Sequence, residues 1–100
     1  MKTIKVISDF GITEAKTIGK PKTLFGEQWV LVEYPCKYMN AKEPVFIRKI
    51  VHIKTGMALP IFNMHYKAPQ KDFFNEAYNL LTKIGEQAIH NEVSKYNILN

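Results

Sequence analysis

The sequence predicts an α+β fold: a small, mostly antiparallel sheet of four to five strands, covered on one face by a single long C-terminal helix. Two observations support it. Runs rich in β-branched and aromatic residues occupy positions 29–62, whereas positions 70–96 repeat apolar residues with the period of a helix. The chain has 100 residues, the size of one domain, so residues 1–100 are expected to form a single domain.

The N-terminal third is expected to supply three strands. Alternation of apolar and polar residues predicts a short strand at residues 3–7 and a second at residues 11–18. Residues 19–22 are expected to form a loop, because glycine and proline interrupt them and their two lysines favour water. Residues 27–34 form the strongest strand pattern, and residues 40–44 are predicted to be the turn that follows.

Residues 45–62 carry the clearest hairpin signal. Residues 45–54 are rich in β-branched side chains, Lys54-Thr55-Gly56 is a turn sequence, and residues 57–62 are predicted to return as a strand. Pro60 indicates that this returning strand lies at an edge of the sheet.

Side-chain alternation divides the sheet into two faces. The residues expected to bind the helix to the sheet are Trp29, Leu31, Val51, Ile53, Leu81 and Ile84. The other, mixed face carries Phe46, Arg48, Ile50, His52 and Lys54. Because one helix cannot cover both faces, we expect the mixed face to be exposed and polar, to self-associate, or to bind a partner.

Residues 70–96 are predicted to form one continuous helix. Pro69 suits its first turn, where a missing N–H costs nothing. The apolar stripe of the helix consists of Phe73, Ala77, Leu80, Leu81, Ile84 and Ala88. Gly85 lies at the edge of that stripe, where helix propensity prefers alanine by about 1 kcal/mol. We therefore interpret Gly85 as a point of close packing against the sheet or a partner.

The positive charge is concentrated in the N-terminal two thirds of the chain. Residues 1–67 hold eleven basic and five acidic side chains, a net charge of +6, whereas residues 68–100 carry −1. Thirteen of the fourteen basic residues are lysines, which favours attraction to phosphates over recognition of bases. The alternative is that this lysine-rich composition has no functional role.

No stretch is apolar enough to cross a bilayer, and the N-terminus has no apolar core of a signal peptide. Cys36 is the only cysteine, so no intrachain disulfide can form. These observations predict a cytoplasmic protein that does not contact a membrane.

The titratable residues form no recognisable catalytic or metal-binding motif. His52, His65 and His90 lack the i, i+4 and HxH spacings of metal ligands, and Cys36 lacks the flanking pattern of a nucleophile. A pairing of Cys36 with His52 or His65 stays open as a minor alternative. We expect no enzyme activity, no metal and no cofactor.

Two functions are in contention. The first is a small interaction protein that binds or modulates a protein partner, or forms a homodimer. The second is a nucleic-acid-binding module that attracts phosphates and stacks bases on a lysine-rich sheet face. The candidate binding residues for either function are Phe46, Arg48, His52 and Lys54 on the mixed face, with Lys49 and Tyr38. The segment around Val93, Tyr96 and Ile98 is the alternative surface.

The run His52-Ile53-Lys54-Thr55-Gly56-Met57-Ala58-Leu59 resembles a hairpin found in small proteins of bacteriophages and mobile elements. The resemblance covers less than a tenth of the chain. It implies an accessory role, such as action on a host factor, and transfers no functional residue.

Overall fold

A computed structural model describes residues 3–8, 11–36, 45–61, 64 and 67–100, without the side chain of Cys36. The strands are β1 (Thr3–Ser8), β2 (Gly11–Leu24), β3 (Glu27–Cys36) and β4 (Val45–His52), and the helices are α1 (Gln70–Ile84) and α2 (Glu86–Val93). The predicted turn at residues 40–44 lies outside the described residues, as do Tyr38 and His65.

The strands form one four-stranded antiparallel sheet in the order β1-β2-β3-β4, so the α+β class is confirmed. Residues 19–22, predicted to be a loop, instead belong to β2. The pairing of β2 with β3 shifts between Ile18 and Lys22, and Gly19 within this irregularity has a φ of 74°. A bulge at a glycine lets the strand bend where the sequence pattern indicated that it ends.

The sheet curls and encloses a core of its own, which we call the inner core. Its buried members come from the strands and the turn after β4: Ile4, Val6, Ala15, Val30, Val32, Tyr34, Val51 and Ile53. The Ile7 backbone N–H donates to the Gly56 carbonyl at 2.8 Å, which holds β1 against that turn. A sheet that rolls up in this way buries one face without a covering layer.

The helices cover the opposite face of the sheet and form the outer core with it. Its buried members are Trp29, Leu31, Ile50, Leu59, Phe73, Phe74, Ala77, Leu81 and Ile89. The predicted roles of Trp29, Leu31 and Leu81 at the helix–sheet contact therefore agree with the structure. Ile84 is 42% exposed, so its predicted core role is wrong.

The register of β3 and β4 explains why the prediction assigned residues of β4 to the wrong face of the sheet. Trp29 lies opposite His52, and Val30 lies opposite Val51. Directly opposite residues share a face, so Val51 belongs with Val30 in the inner core. Val51 and Ile53 therefore do not bind the helices.

The mixed face, expected to be exposed, is largely covered. Ile50 and His52 are 1% and 2% exposed beneath the helices, whereas Phe46, near the start of β4, is half exposed. Arg48 is partly buried, and Lys54, in the turn, is exposed.

The prediction of a single helix over residues 70–96 is wrong, because Gly85 separates α1 from α2. Gly85 has φ 89° and ψ 147°, a region open to almost no residue except glycine. A Cβ atom at this position would meet nothing within 4 Å. The backbone conformation, and not the close packing we expected, therefore explains why this residue is glycine.

The turn between β2 and β3 lies against both helices, on either side of the break. Phe25 and Gly26 form this two-residue turn, and both have positive φ, 54° and 79°. The Phe25 ring stacks on Tyr78 of α1 with ring centroids 5.6 Å apart. A Cβ atom on Gly26 would lie 3.3 Å from the His90 ring of α2. Phe25 of the turn therefore contacts α1, and Gly26 lies next to α2.

Candidate binding cleft

A cleft of about 290 Å³ lies where the start of β3, the turn after β4 and the chain after α2 meet. We call residues 94–100 the tail, and this cavity the tail cleft. Four polar side chains form its floor: Glu27, His52, Thr55 and His90. Val93 and the tail residues Tyr96 and Ile98 form an apolar wall, and Lys54 and Ser94 complete the lining.

Hydrogen bonds hold the far end of the tail. The backbone N–H of Leu99 donates to the Lys54 carbonyl at 2.7 Å. The Asn100 side chain accepts from the Lys5 N–H at 2.9 Å and donates to the carbonyls of Lys5 and Ile53 at 2.8 and 2.7 Å. The tail is therefore fixed at its end, which keeps Tyr96 and Ile98 beside the turn.

His52 is the buried centre of the floor. Its Nε2 lies 3.2 Å from Glu27 Oε1 and its Nδ1 lies 2.8 Å from Thr55 Oγ1. Because an ionised carboxylate can only accept, Nε2 carries the proton and Nδ1 accepts from the Thr55 hydroxyl. The Thr55 oxygen in turn accepts from the Met57 N–H at 3.3 Å. One chain of donors thus runs from Met57 through Thr55 and His52 to Glu27.

The electrostatic surroundings favour a neutral His52 ring. Burial lowers the pKa of His52 below its ordinary value of 6.5. The carboxylate of Glu27 opposes this shift, and the charge of Lys54 adds to it. A neutral ring is consistent with the tautomer that the hydrogen bonds require.

One carboxylate oxygen of Glu27 accepts a hydrogen bond, and the other, which we call the open oxygen, accepts none from the described residues. Glu27 Oε2 lies 3.9 Å from His90 Nδ1, which is too far for a hydrogen bond, and no other described residue donates to it. His90 Nε2 lies 3.6 Å from Glu86 Oε1 on the same helix. The Glu27 side chain is 16% exposed, so the carboxylate as a whole is mostly covered.

The wall of the tail cleft exposes apolar surface. Val93 is buried, but Tyr96 is 36% exposed and Ile98 is 74% exposed. A cavity that combines apolar walls with a few convergent polar groups is the usual form of a binding site.

Two of the six predicted binding residues, His52 and Lys54, line the tail cleft. Arg48 instead lies 3.9 Å from Glu33, and Lys49 donates to the Ile61 carbonyl at 3.2 Å. Phe46 belongs to the opposite end of β4, and Tyr38 is outside the described residues. The structure therefore does not bring the predicted set together.

Sequence reasoning missed the roles of Glu27, Thr55 and His90. The His52-x-x-Thr55 spacing across a tight turn was a usable signal, since such spacing lets the hydroxyl reach back to the ring. The i, i+4 spacing of Glu86 and His90 was another. Nothing local in the sequence indicates that Glu27 joins them.

Outside the cleft, acids lie opposite bases on the outer surface of the sheet. Lys5 lies opposite Glu14, and Lys16 lies opposite Glu33, which also faces Arg48 on the next strand. Opposite charges in such pairs offset one another. This part of the sheet is therefore not a uniformly positive surface.

Comparisons with protein-family models, curated proteins and solved structures found no match for the chain. Among residues 3–8, 11–36, 45–61, 64 and 67–100, no group of three His, Cys, Asp or Glu side chains could hold a metal ion. In the same part of the chain, neither helix has the length and apolar character needed to cross a membrane.

Proposed function

We propose that the protein is a small cytoplasmic, non-enzymatic binding protein that recognises a segment of a partner protein in the tail cleft. One observation supports this proposal. The Glu27 carboxylate, which has one oxygen without a hydrogen bond among the described residues, lines the same cavity as the exposed side chains of Tyr96 and Ile98. At about 290 Å³, the cavity is at the lower end of the range for small-molecule sites, which suits one or two amino-acid side chains.

The polar floor supports binding better than catalysis. Thr55, His52 and Glu27 follow the order of a nucleophile, a base and an orienting carboxylate. However, Thr55 is only 3% exposed, and its oxygen already accepts from the Met57 N–H. A nucleophile must reach a substrate carbon, and this hydroxyl is enclosed. Its hydrogen bonds instead fix the orientation of Glu27.

Site-specific photo-cross-linking tests the proposal. A photoreactive amino acid replaces Ser94, an exposed residue that lines the cleft, and in a matched variant it replaces Asn75, an exposed residue of α1. A partner protein should cross-link from position 94 and not from position 75.

The captured protein is then purified and its affinity measured by calorimetry. Tyr96→Ala combined with Ile98→Ser should weaken binding by about tenfold or more, because both substitutions remove contact surface from the wall. Unchanged affinity of the double variant would contradict the proposal. Capture of a second copy of this chain would identify the complex as a homodimer.

The second candidate function is nucleic-acid binding, and one observation favours it. Lys16, Lys20 and Lys22 are all exposed along β2. In this case the protein should be retained on mixed DNA and RNA at low salt and released steeply as salt rises. Lys20→Gln with Lys22→Gln should then reduce both the retention and its salt dependence. Retention that does not depend on these lysines would remove β2 as the contact surface.

A further inference from the structure

The open oxygen of Glu27 indicates what the tail cleft accepts. Oε1 is held by His52, whereas Oε2 has no hydrogen bond among the described residues and lies 3.9 Å from His90 Nδ1, in a side chain that lines the cavity. A carboxylate oxygen only accepts hydrogen bonds, so the group that completes this site must be a donor. A charged donor gains more than a neutral one, because the carboxylate is largely removed from water.

The orientation of Glu27 is fixed before any ligand arrives. Thr55 holds the His52 ring at 2.8 Å, and the ring holds Oε1 at 3.2 Å. His52 is 2% exposed and lies against Trp29, with ring centroids 5.1 Å apart, so its position is set by packing. A ligand therefore meets a preorganised acceptor and does not have to order it.

The wall suits the aliphatic part of a long basic side chain. Lysine and arginine carry apolar stems that pack along apolar surface while their charged ends reach a polar group. Val93, Tyr96 and Ile98 supply such surface next to the carboxylate. The Tyr96 ring can also attract a cation through its face.

The charge around the cleft favours a cation over an anion. Glu27 and Glu86 both lie beside His90, which places two carboxylates at this end of the cleft. Lys54 lines the cleft and its charge reaches His52, but it forms no ion pair with Glu27.

We propose that the tail cleft binds a lysine or arginine side chain of a partner protein, with its cationic end on Glu27 Oε2 and its stem against Tyr96 and Ile98. This inference rests on the proposed function of the cleft and names the chemistry of its ligand.

Titration of the ¹⁵N-labelled protein with three dipeptides, followed by NMR, tests it. The probes are acetyl-Arg-Leu-amide, the uncharged isostere acetyl-citrulline-Leu-amide, and acetyl-Glu-Leu-amide. The arginine peptide should shift the amide signals of Glu27, His90 and Tyr96 in a saturable manner. The citrulline peptide should bind about tenfold more weakly or worse, as expected for loss of one charge-assisted hydrogen bond.

Two variants complete the experiment. Glu27→Gln keeps an oxygen for His52 but removes the charge, so it should lower the affinity for the arginine peptide by about tenfold. Glu76→Gln, on an exposed site of α1, should leave that affinity unchanged. Thermal melts show that each variant is folded.

The outcomes separate this inference from the proposed function. Equal binding of the arginine and citrulline peptides at the cleft would overturn the preference for a cation, and docking at the cleft would stand. Tighter binding of the glutamate peptide would overturn it as well. If no peptide shifts the cleft residues at concentrations up to its solubility limit, the inference is wrong, and the cross-linking experiment alone decides the proposed function.

Discussion

The inner and outer cores lie on opposite faces of the same strands, but different interactions close them. The outer core is covered by two helices that contribute large side chains such as Phe73 and Leu81. The inner core contains no helix residue and is closed where β1 meets the turn after β4, through backbone bonds such as that from Ile7 to Gly56. Truncation of a large side chain should therefore be most costly under the helices, whereas closure of the inner core depends on backbone hydrogen bonds as well as on buried side chains.

The largest effect is expected from truncation in the outer core. Leu81 is 1% exposed, so Leu81→Ala should lower the free energy of unfolding by about 2–5 kcal/mol. Ile84, which shares the same helical stripe in the sequence, is 42% exposed, and Ile84→Ala should cost less than about 1 kcal/mol. Urea denaturation of both variants measures the difference. Equal losses of unfolding free energy in the two variants would show that α1 packs against the sheet with a different face.

A smaller effect is expected at the junction of the two helices. Helix propensity alone predicts that Gly85→Ala stabilises the protein by about 1 kcal/mol. The positive φ of Gly85 reverses the sign, and we expect a loss of about 1–3 kcal/mol. Gln87→Ala, at an exposed position of α2, serves as the control and should change stability by less than about 0.5 kcal/mol. A stabilised Gly85→Ala variant would show that α1 and α2 can join into one helix.

The smallest effect concerns pH. Because the pKa of His52 is lowered in the folded protein, the unfolded chain takes up this proton more readily as the pH falls below 6.5. The contribution of His52 to stability is thus fully present above pH 6.5 and is lost as the pH falls toward the lowered pKa.

Urea denaturation across this range measures the effect. His52→Gln should flatten the slope of unfolding free energy against pH in the acidic part of the range, whatever its absolute stability. Above pH 7 the slopes of the two proteins should agree. A wild-type protein that gains stability on acidification, with the gain lost in the variant, would contradict the neutral ring.

Much of the outer core could be predicted from the sequence, because the helical period of α1 and the alternation of β3 are local patterns. Alternation along β4 shows which of its residues share a face, but it cannot show which face the helix covers. That depends on the register between Trp29 and His52, which is set by the whole sheet. Val51 was misplaced for this reason.

The break at Gly85 and the bend at Gly19 were missed for a different reason. Glycine in a helical or strand pattern signals either a weak position or a special backbone angle, and the sequence does not distinguish the two. At both positions the structure has a positive φ, 89° and 74°.

The tail cleft was beyond local pattern analysis. His52 and Glu27 are 25 residues apart, and their contact exists only because β3 and β4 pair in one register. The tail adds Tyr96 and Ile98 from still farther along the chain. The sequence did indicate the segment around Val93, Tyr96 and Ile98 as an alternative binding surface, and all three residues line the cleft.

The hydrogen bonds between Asn100 and Lys5 join residues 95 positions apart. Bringing such distant segments together carries a loop-closure entropy that local hairpins and helices do not carry. This entropy cost becomes small once the intervening chain is folded, because the two segments are then neighbours. We therefore expect the β2–β3 hairpin and α1 to assemble first and the contact between β1 and the tail to form last. The tail cleft would then be the final part of the molecule to take shape during folding.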